Sequence, residues 1–226
     1  MKVRKDLQGR AWAAGDSFGF TLAAVGAAPG FPNAAAEVTK ESADHTASFG
    51  TVTFTQAGSY IYTVNETGGA LPGMAYDNRT HTVTFNLTDD GQGHLVAADG
   101  GGLVQTVAIT NTYLSGDLRV SNSVTSSAAA DKNRDFSFTV TLEDLAMNGT
   151  YGDMTFMDGV AEFTLKDGET ATASGLPKGI GYTVEQADVD GFTTSAVNAT
   201  GTIATAGATA AFTNTRNRPE LAVTAG

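Results

Sequence analysis

The sequence predicts an all-β protein made of two tandem antiparallel β-sandwiches joined by a short linker. Short stretches in which apolar and polar residues alternate recur along the whole chain, as expected for half-buried strands. The 226 residues include 27 glycines, which suit tight turns between such strands. The second half repeats motifs of the first, and no strong helical pattern separates the strands. Short strands without helical crossovers favour antiparallel sandwiches over a parallel sheet.

The first half contains six predicted strands. Each alternates apolar with polar residues, and in order they cover residues 2–7, 17–22, 49–55, 59–66, 80–87 and 104–112. Residues 88–93, Thr-Asp-Asp-Gly-Gln-Gly, have the composition of a tight hairpin turn. Residues 33–41, with three consecutive alanines, are the one helical candidate.

The second half repeats four motifs of the first half in the same order. Leu118-x-Val120 corresponds to the opening strand, residues 135–140 to 16–21, residues 182–184 to 62–64, and residues 212–215 to 109–112. The closing Asn111-Thr112 and Asn214-Thr215 pairs lie 103 residues apart (214 − 111), which is the length of a domain. We therefore expect one domain at 1–114 and a related one at 115–218. The boundary is expected at 114–117, with Ser115-Gly116 as the joint.

Composition excludes several classes of function. The net charge of −11 argues against nucleic acid or an anionic membrane as a partner. The chain has no cysteine, so disulfides and cysteine-based metal sites are excluded. No apolar run approaches the roughly 20 residues of a membrane span, and the N-terminus leads directly into a strand without an apolar leader. If the protein is exported, we expect this chain to be a mature or trimmed fragment.

Three polar residues interrupt apolar strand faces in the first half. Strand alternation places Lys5, Glu66 and Asn111 on faces whose other members are apolar. Those members are Val3 and Leu7 beside the lysine, Tyr60, Tyr62 and Val64 beside the glutamate, and Val107, Ile109 and Tyr113 beside the asparagine. An ammonium buried without a partner is too costly to persist. A buried lysine, acid and asparagine together are the components of a spontaneous Lys–Asn amide cross-link.

A dry interior would make this reaction possible. In water the amine is protonated, with a pKa of about 10.4, and a primary amide is a poor electrophile. Burial favours the neutral amine and the protonated carboxyl, so that Glu66 can carry a proton between the reacting groups. We expect the aromatic walls to be Phe18, Phe20, Phe54 and Tyr62. The alternatives are an ordinary buried Lys5–Glu66 ion pair, or a lysine that extends to solvent.

The first domain contains five characteristic motifs: Val3-x-Lys5-x-Leu7-x-Gly9, Phe18-x-Phe20-x-Leu22, Gly58-x-Tyr60-x-Tyr62-x-Val64-x-Glu66, Tyr76-Asp77 and Asn111-Thr112-Tyr113. In these motifs it resembles the isopeptide-bonded repeats of Gram-positive pilins and surface adhesins, the FctA-type pilin domains, which belong to the same broad class as CnaB-like modules. The resemblance implies Ig-like or CnaB-like sandwiches. It also implies a Lys5–Asn111 bond whose formation is catalysed by Glu66.

The second domain departs from this pattern at two positions. It shares family-like motifs, such as Phe136-x-Phe138-x-Val140 and Gly175-Leu176-Pro177. However, Asn122 replaces the lysine and Gln186 replaces the acid, while Asn214 is kept. Without an amine there is no nucleophile, so we expect no bond here. The three amides are expected to form a neutral hydrogen-bonded cluster instead. Lys132 and Lys166 are poor substitutes, because one lies in a polar loop and the other faces away from the core.

No cofactor or metal site is predicted. His45, His81 and His94 are scattered and lack a metal-ligand spacing. The Asp89-Asp90-Gly91 triplet is explained by a hairpin turn rather than by a calcium site. The tail, residues 219–226, allows two interpretations: the start of a further repeat, or a degenerate sorting motif interrupted by Ala225.

The expected function is that of a structural stalk module in an adhesin or pilus at the cell wall of a Gram-positive bacterium. The expected partners are neighbouring repeats of the same surface protein. The protein would not be an enzyme, beyond a single-turnover reaction within itself. The alternative is a ligand-binding adhesin domain that recognises a host protein or glycan through residues 26–49 or 68–75.

Overall fold

The computed structural model describes residues 1–98 and 103–217. It confirms the all-β prediction, with nineteen strands among the described residues. The chain divides into two compact units, Met1–Tyr113 and Leu114–Gly226, and each has its own hydrophobic core. The predicted tail at 219–226 lies outside the described residues. No helix in the described part of the chain is long and apolar enough to cross a membrane.

The first unit is a sandwich of two sheets. Its strands are β1 (Lys2–Gln8), β2 (Ser17–Val25), β3 (Ala35–Thr39), β4 (Thr46–Ser48), β5 (Gly58–Glu66), β6 (Met74–Ala75), β7 (His81–Asp89), β8 (Leu95–Ala97) and β9 (Thr106–Tyr113), with a 3-10 turn at Ala43–His45. One sheet has the order β4-β1-β9-β6 and the other β3-β2-β5-β7-β8. Strands β1 and β9 are parallel neighbours, so the first and last strands of the unit lie side by side.

Alternation decides which residues of this unit enter the core. Val3 and Ile109 point inward from one sheet, Phe20 and Val64 point inward from the other, and all four are at most 1% exposed. The predicted turn at 88–93 is confirmed, since it joins β7 to β8 as an antiparallel hairpin.

Two local predictions in this unit were wrong. The helical candidate at 33–41 instead contains strand β3, which pairs antiparallel with β2 and buries Val38 completely. Pairing at the sheet edge therefore outweighs the helical propensity of the alanines. The strand expected at 49–55 is absent: β4 ends at Ser48, β5 begins at Gly58, and Gly50 between them has a φ of +91°, which is not a strand conformation.

The second unit is also a sandwich. Its strands are β10 (Ser115–Thr125), β11 (Phe136–Leu142), β12 (Gly149–Tyr151), β13 (Met154–Phe156), β14 (Val160–Leu165), β15 (Thr170–Pro177), β16 (Gly181–Gln186), β17 (Phe192–Val197), β18 (Thr200–Thr202) and β19 (Ala208–Arg216), with one helical turn, α1 (Ala129–Lys132). The sheets have the orders β15-β10-β19-β17 and β14-β11-β16-β18, and β12 and β13 form a separate hairpin. As in the first unit, the opening and closing strands, β10 and β19, are parallel neighbours.

The residues predicted as a joint belong to a strand. Ser115 and Gly116 open β10 and pair with Pro177 and Leu176. A Cβ atom at Gly116 would lie 1.8 Å from the carbonyl oxygen of Ala204. The glycine is therefore required by close packing of the backbone rather than by a flexible linker.

Candidate cross-link site

Three strands bring the predicted residues of the first unit together. Lys5 lies on β1 opposite Ile109 of β9, two residues before Asn111 on the same inward face. Glu66 is the last residue of β5, which belongs to the sheet that faces β1 and β9. There it pairs with Phe20 of the neighbouring strand β2. The three side chains thus approach one another across the sandwich.

One carboxylate oxygen connects the amine with the amide. The Lys5 Nζ donates to Glu66 Oε1 at 2.8 Å, and the Asn111 Nδ2 donates to the same oxygen at 2.8 Å. The side chains of Lys5 and Glu66 are 0% and 1% exposed, and Asn111 is fully buried. The nucleophilic nitrogen and the nitrogen that would leave are therefore both hydrogen-bonded to one proton carrier.

The surroundings of the amine are aromatic and dry. The Lys5 Nζ lies 4.9 Å from the centroid of the Phe18 ring and 5.8 Å from that of Phe20. Burial lowers the pKa of Lys5 from its ordinary value, opposed by the hydrogen bond to Glu66. Trp12, the single tryptophan of the chain, packs edge-on against Phe18 with centroids 5.3 Å apart.

Two of the four predicted walls lie elsewhere in the core. Phe54 packs on Tyr60 and Phe85, and Tyr62 packs on Phe85 and Phe31. Tyr62 precedes Glu66 by four strand residues, a separation of about 13 Å along an extended chain. It therefore shares the inward face without reaching the amine.

A backbone group completes the site and was not predicted. The Asp77 N–H donates to Asn111 Oδ1 at 3.0 Å and to Glu66 Oε2 at 3.1 Å. It touches the carbonyl that would be attacked and also fixes the proton carrier. The Tyr76-Asp77 pair had been noted only as part of a motif, because a backbone donor has no signature in the sequence.

The second unit places its three predicted amides at equivalent register positions. Asn122 pairs with Phe212, two residues before Asn214, just as Lys5 pairs two residues before Asn111. Gln186 pairs with Phe138 as Glu66 pairs with Phe20.

These amides hydrogen-bond to one another. Asn214 Nδ2 donates to Asn122 Oδ1 at 2.8 Å and to Gln186 Oε1 at 2.9 Å, and Gln186 Nε2 donates back to Asn214 Oδ1 at 2.8 Å. The Thr194 hydroxyl of β17 also donates to Asn214 Oδ1 at 2.7 Å, a contact that sequence reasoning missed. The Asn122 amide donates to the Leu165 and Lys166 carbonyls at 3.2 and 3.3 Å. The cluster is neutral and fully hydrogen-bonded.

The first unit matches a protein family over nearly its whole length. Residues 1–114 match the model of the Spy0128-like isopeptide containing domain, FctA. The chain belongs to this family. Beyond the FctA domain, residues 116–216 match a domain of unknown function, DUF7601.

Relatives of this FctA-domain chain include streptococcal surface proteins. A pilin of Streptococcus pyogenes serotype M1 is 30% identical over 162 residues, which cover 62% of this chain and 47% of the pilin. The pilus tip adhesin Cpa of Streptococcus pyogenes is 41% identical over 76 residues, which cover 30% of this chain and 11% of the adhesin. The chain thus matches about half of one relative and about a tenth of the other.

The fold is shared with solved pilin structures. A major pilin of Streptococcus pyogenes has a TM-score of 0.62 at 23% identity, covering 96% of this chain and 97% of that one. The T-13 major pilin has a TM-score of 0.59 at 21% identity, with the same coverage of both chains.

The side chains of the remaining candidates make no hydrogen bond to either set of three polar residues. Lys132 and Lys166 have side chains 50% and 45% exposed and face Asp167 and Asp135 at 3.2 and 4.0 Å. Lys132 ends helix α1 rather than lying in a loop.

The three histidines are far apart in their contacts. His45 stacks on Trp12, His81 contacts Asp77, and His94 contacts Asp90. Within residues 1–98 and 103–217, no group of three or more His, Asp or Glu side chains is placed to hold a metal ion.

Proposed function

We propose that this chain is a structural module of a bacterial surface pilus or adhesin stalk, cross-linked internally by a Lys5–Asn111 isopeptide bond. The observation that carries the proposal is the shared oxygen, Glu66 Oε1, which lies 2.8 Å from both the amine and the amide nitrogen. The family of the first unit and the similarity to a pilin support the same function.

The reaction follows from these contacts. Transfer of the amine proton along the Lys5–Glu66 contact leaves a neutral nucleophile and a protonated carboxyl. The Lys5 Nζ attacks Asn111 Cγ, Glu66 delivers its proton to Nδ2, and Nζ then gives a second proton to the Glu66 carboxylate. The C–N bond to Nδ2 breaks, ammonia leaves and takes up that second proton as ammonium, and a neutral secondary amide and the Glu66 carboxylate remain.

Preorganisation lowers the barrier to this reaction. Fixing the nucleophile and the electrophile on neighbouring strands is worth roughly 7–11 kcal/mol of the barrier. Glu66 regains its starting form, but the other two side chains are consumed. The chemistry is therefore a single turnover within the chain, and the buried ion pair is its starting state.

The bond would make the first unit resistant to tension. It joins β1 to β9, which lie side by side as the opening and closing strands of the unit. A force applied at the two ends of the unit would pass through the covalent link, and the strands between would not extend. Such resistance suits a stalk anchored in a bacterial cell wall.

Intact mass tests the proposal. The purified chain should be lighter than its calculated mass by one ammonia, and peptide mapping should recover a branched peptide containing Lys5 and Asn111. Replacing Glu66 with Ala should restore the full calculated mass. A wild-type chain of full calculated mass would refute the cross-link, and loss of two ammonias would refute the inert second site.

One observation favours the second candidate function, recognition of a host protein or glycan: the local match to a protein named a pilus tip adhesin. Of the two segments proposed for it, residues 26–49 include strands β3 and β4 of the sandwich. In residues 68–75, the Leu71 N–H is bonded to the Tyr76 hydroxyl at 3.1 Å. Binding of the chain to panels of matrix proteins and glycans tests this function. The mass measurement tests the cross-link independently of it.

A further inference from the structure

We propose that the backbone N–H of Asp77 stabilises the oxyanion that forms on Asn111, and that the Asp77 side chain and Arg79 act as positioning groups that aim it. This proposal rests on the proposed cross-linking reaction and names a further participant in it. The bond involved is the 3.0 Å contact from Asp77 N to Asn111 Oδ1.

The geometry fits the charge that develops during the reaction. Attack on Asn111 Cγ moves negative charge onto Oδ1, and effective donors lie about 2.7–3.1 Å from that oxygen. The same N–H also bonds to Glu66 Oε2 at 3.1 Å. When Glu66 takes the amine proton, its oxygens become weaker acceptors, so the N–H is released toward Asn111 as the charge appears there.

The Asp77 side chain fixes the direction of this N–H. Its Oδ1 accepts the Arg79 backbone N–H at 2.9 Å and Arg79 Nε at 3.0 Å, and its Oδ2 accepts Arg79 Nη2 at 2.7 Å. His81 Nε2 contacts the same Oδ2 at 3.1 Å. A side-chain oxygen bonded to the backbone two residues later holds the local turn, and with it the orientation of the Asp77 peptide.

The carboxylate itself is nearly inaccessible. The side chain of Asp77 is 3% exposed, whereas that of Arg79 is 75% exposed. The Arg79 hydrogen bonds hold the pKa of Asp77 well below its usual range, so the carboxylate remains charged. A positioning role explains a buried acid that is held firmly by Arg79 while its own backbone N–H contacts the reacting carbonyl.

The first unit offers a matched control. Asp16 is also buried, at 4% exposure, and is held by two Arg10 nitrogens at 2.7 Å and by the Ala13 N–H at 2.7 Å. The Asp16 carboxylate accepts from Arg10 and Ala13 and not from the reacting side chains. Removing Asp16 therefore removes the same type of buried pair without altering the reacting groups.

The test is the rate of ammonia loss in the full chain. Each variant is synthesised in a short cell-free reaction at low temperature. Samples are quenched in acid at timed intervals, and mass spectrometry measures the mass of the intact chain in each. Asp77→Ala keeps the N–H but no longer aims it, so the variant should react up to about 100-fold more slowly than wild type, the loss typical when one oxyanion donor is removed. Asp77→Asn keeps the oxygen that accepts the Arg79 N–H, and should recover most of the rate. Asp16→Ala should react like wild type.

Each outcome decides between the two proposals. If wild type loses no ammonia, the cross-link itself is refuted. If wild type reacts and Asp77→Ala matches Asp16→Ala, only the role of Asp77 is refuted, and the same holds if Asp77→Asn is as slow as Asp77→Ala. Should Asp77→Ala fail to fold, Arg79→Ala decides, because its side chain is mostly exposed: slower ammonia loss supports the proposal and an unchanged rate overturns it.

Discussion

The two units hold three polar side chains at the same register positions, yet one set carries charge and the other does not. Lys5, Glu66 and Asn111 form a buried ion pair beside an amide. Their counterparts in the second unit are three neutral amides. The backbone framework is therefore compatible with either chemistry, and two side chains decide which one is present.

The difference also shows how each cluster tolerates burial. Every buried side-chain nitrogen and oxygen of the described residues has a hydrogen-bond partner. In the second unit, hydrogen bonds alone meet this requirement at little electrostatic cost. In the first unit a charged pair must be desolvated, which is costly unless the charges are consumed. Conversion of the pair into an amide would remove that cost.

The largest expected effect comes from giving the first unit the residues of the second. The double variant Lys5→Asn, Glu66→Gln should keep its full calculated mass. Its first unit should lose about 4–5 kcal/mol of unfolding free energy, by analogy with a disulfide that closes a loop of roughly 100 residues. Calorimetry measures this loss, and an unchanged unfolding temperature of the first unit would contradict it.

The reverse exchange should install a second bond. Asn122→Lys with Gln186→Glu supplies the amine and the acid, while Asn214 keeps the Thr194 hydroxyl as a donor to its carbonyl. We expect the loss of a second ammonia and a gain of a few kcal/mol in the stability of the second unit. With either substitution alone, the whole chain should still lose only the one ammonia of the first unit. A folded double variant that still loses only one would show that register equivalence is insufficient.

A smaller effect is expected from breaking the neutral cluster. Asn214→Ala removes the donor to Asn122 Oδ1 and to Gln186 Oε1 and should cost about 1–3 kcal/mol. Thr194→Val removes one donor from an oxygen that keeps another, so it should cost about 1 kcal/mol. Urea unfolding measures both losses of unfolding free energy. The control is Thr209→Val, at an exposed position on β19, the strand that carries Asn214. Equal costs for all three variants would argue against a cooperative cluster.

The smallest expected effect is on the pH dependence of the unfolding free energy, which urea unfolding at a series of pH values measures. The pKa of Asp77 is depressed in the folded state, so its contribution to stability is present above the ordinary carboxyl pKa of 3.8 and is lost as pH falls toward the folded value. In the Lys5→Asn, Glu66→Gln chain, the further change Asp77→Asn should lower the unfolding free energy near neutral pH, and the difference should narrow below pH 3.8.

The second unit supplies the comparison for this measurement. The Val124 N–H and Lys132 lower the pKa of Asp167, whose side chain is 24% exposed. Solvent screens its interactions more strongly. Asp167→Asn should therefore change the pH profile less than Asp77→Asn, and a larger change would reverse the order that we expect.

Strand alternation was enough to predict which residues meet. Lys5, Glu66 and Asn111 were identified because a period of two residues assigns each side chain to a face, and the same rule identified Asn122, Gln186 and Asn214. Whether the first three react is a prediction that remains to be tested by mass.

The errors arose where the fold depends on partners distant in the sequence. Strand β3 exists because β2 offers it an edge, which local alanine propensity does not reveal. Phe54 and Tyr62 were assigned to the site from their face alone, although position along the strand separates them from Lys5. The contributions of Asp77 and Thr194 depend on a loop and an edge strand that approach the site only in three dimensions.

The fluorescence of Trp12 reports on the first unit alone. As the chain's single indole, it lies against the Phe18 ring that covers the Lys5 amine, whereas the second unit contains no tryptophan. Emission excited at the red edge of aromatic absorption would therefore follow the melting of one half of the chain without a contribution from the other. The two halves could then be compared in a single sample without an added dye.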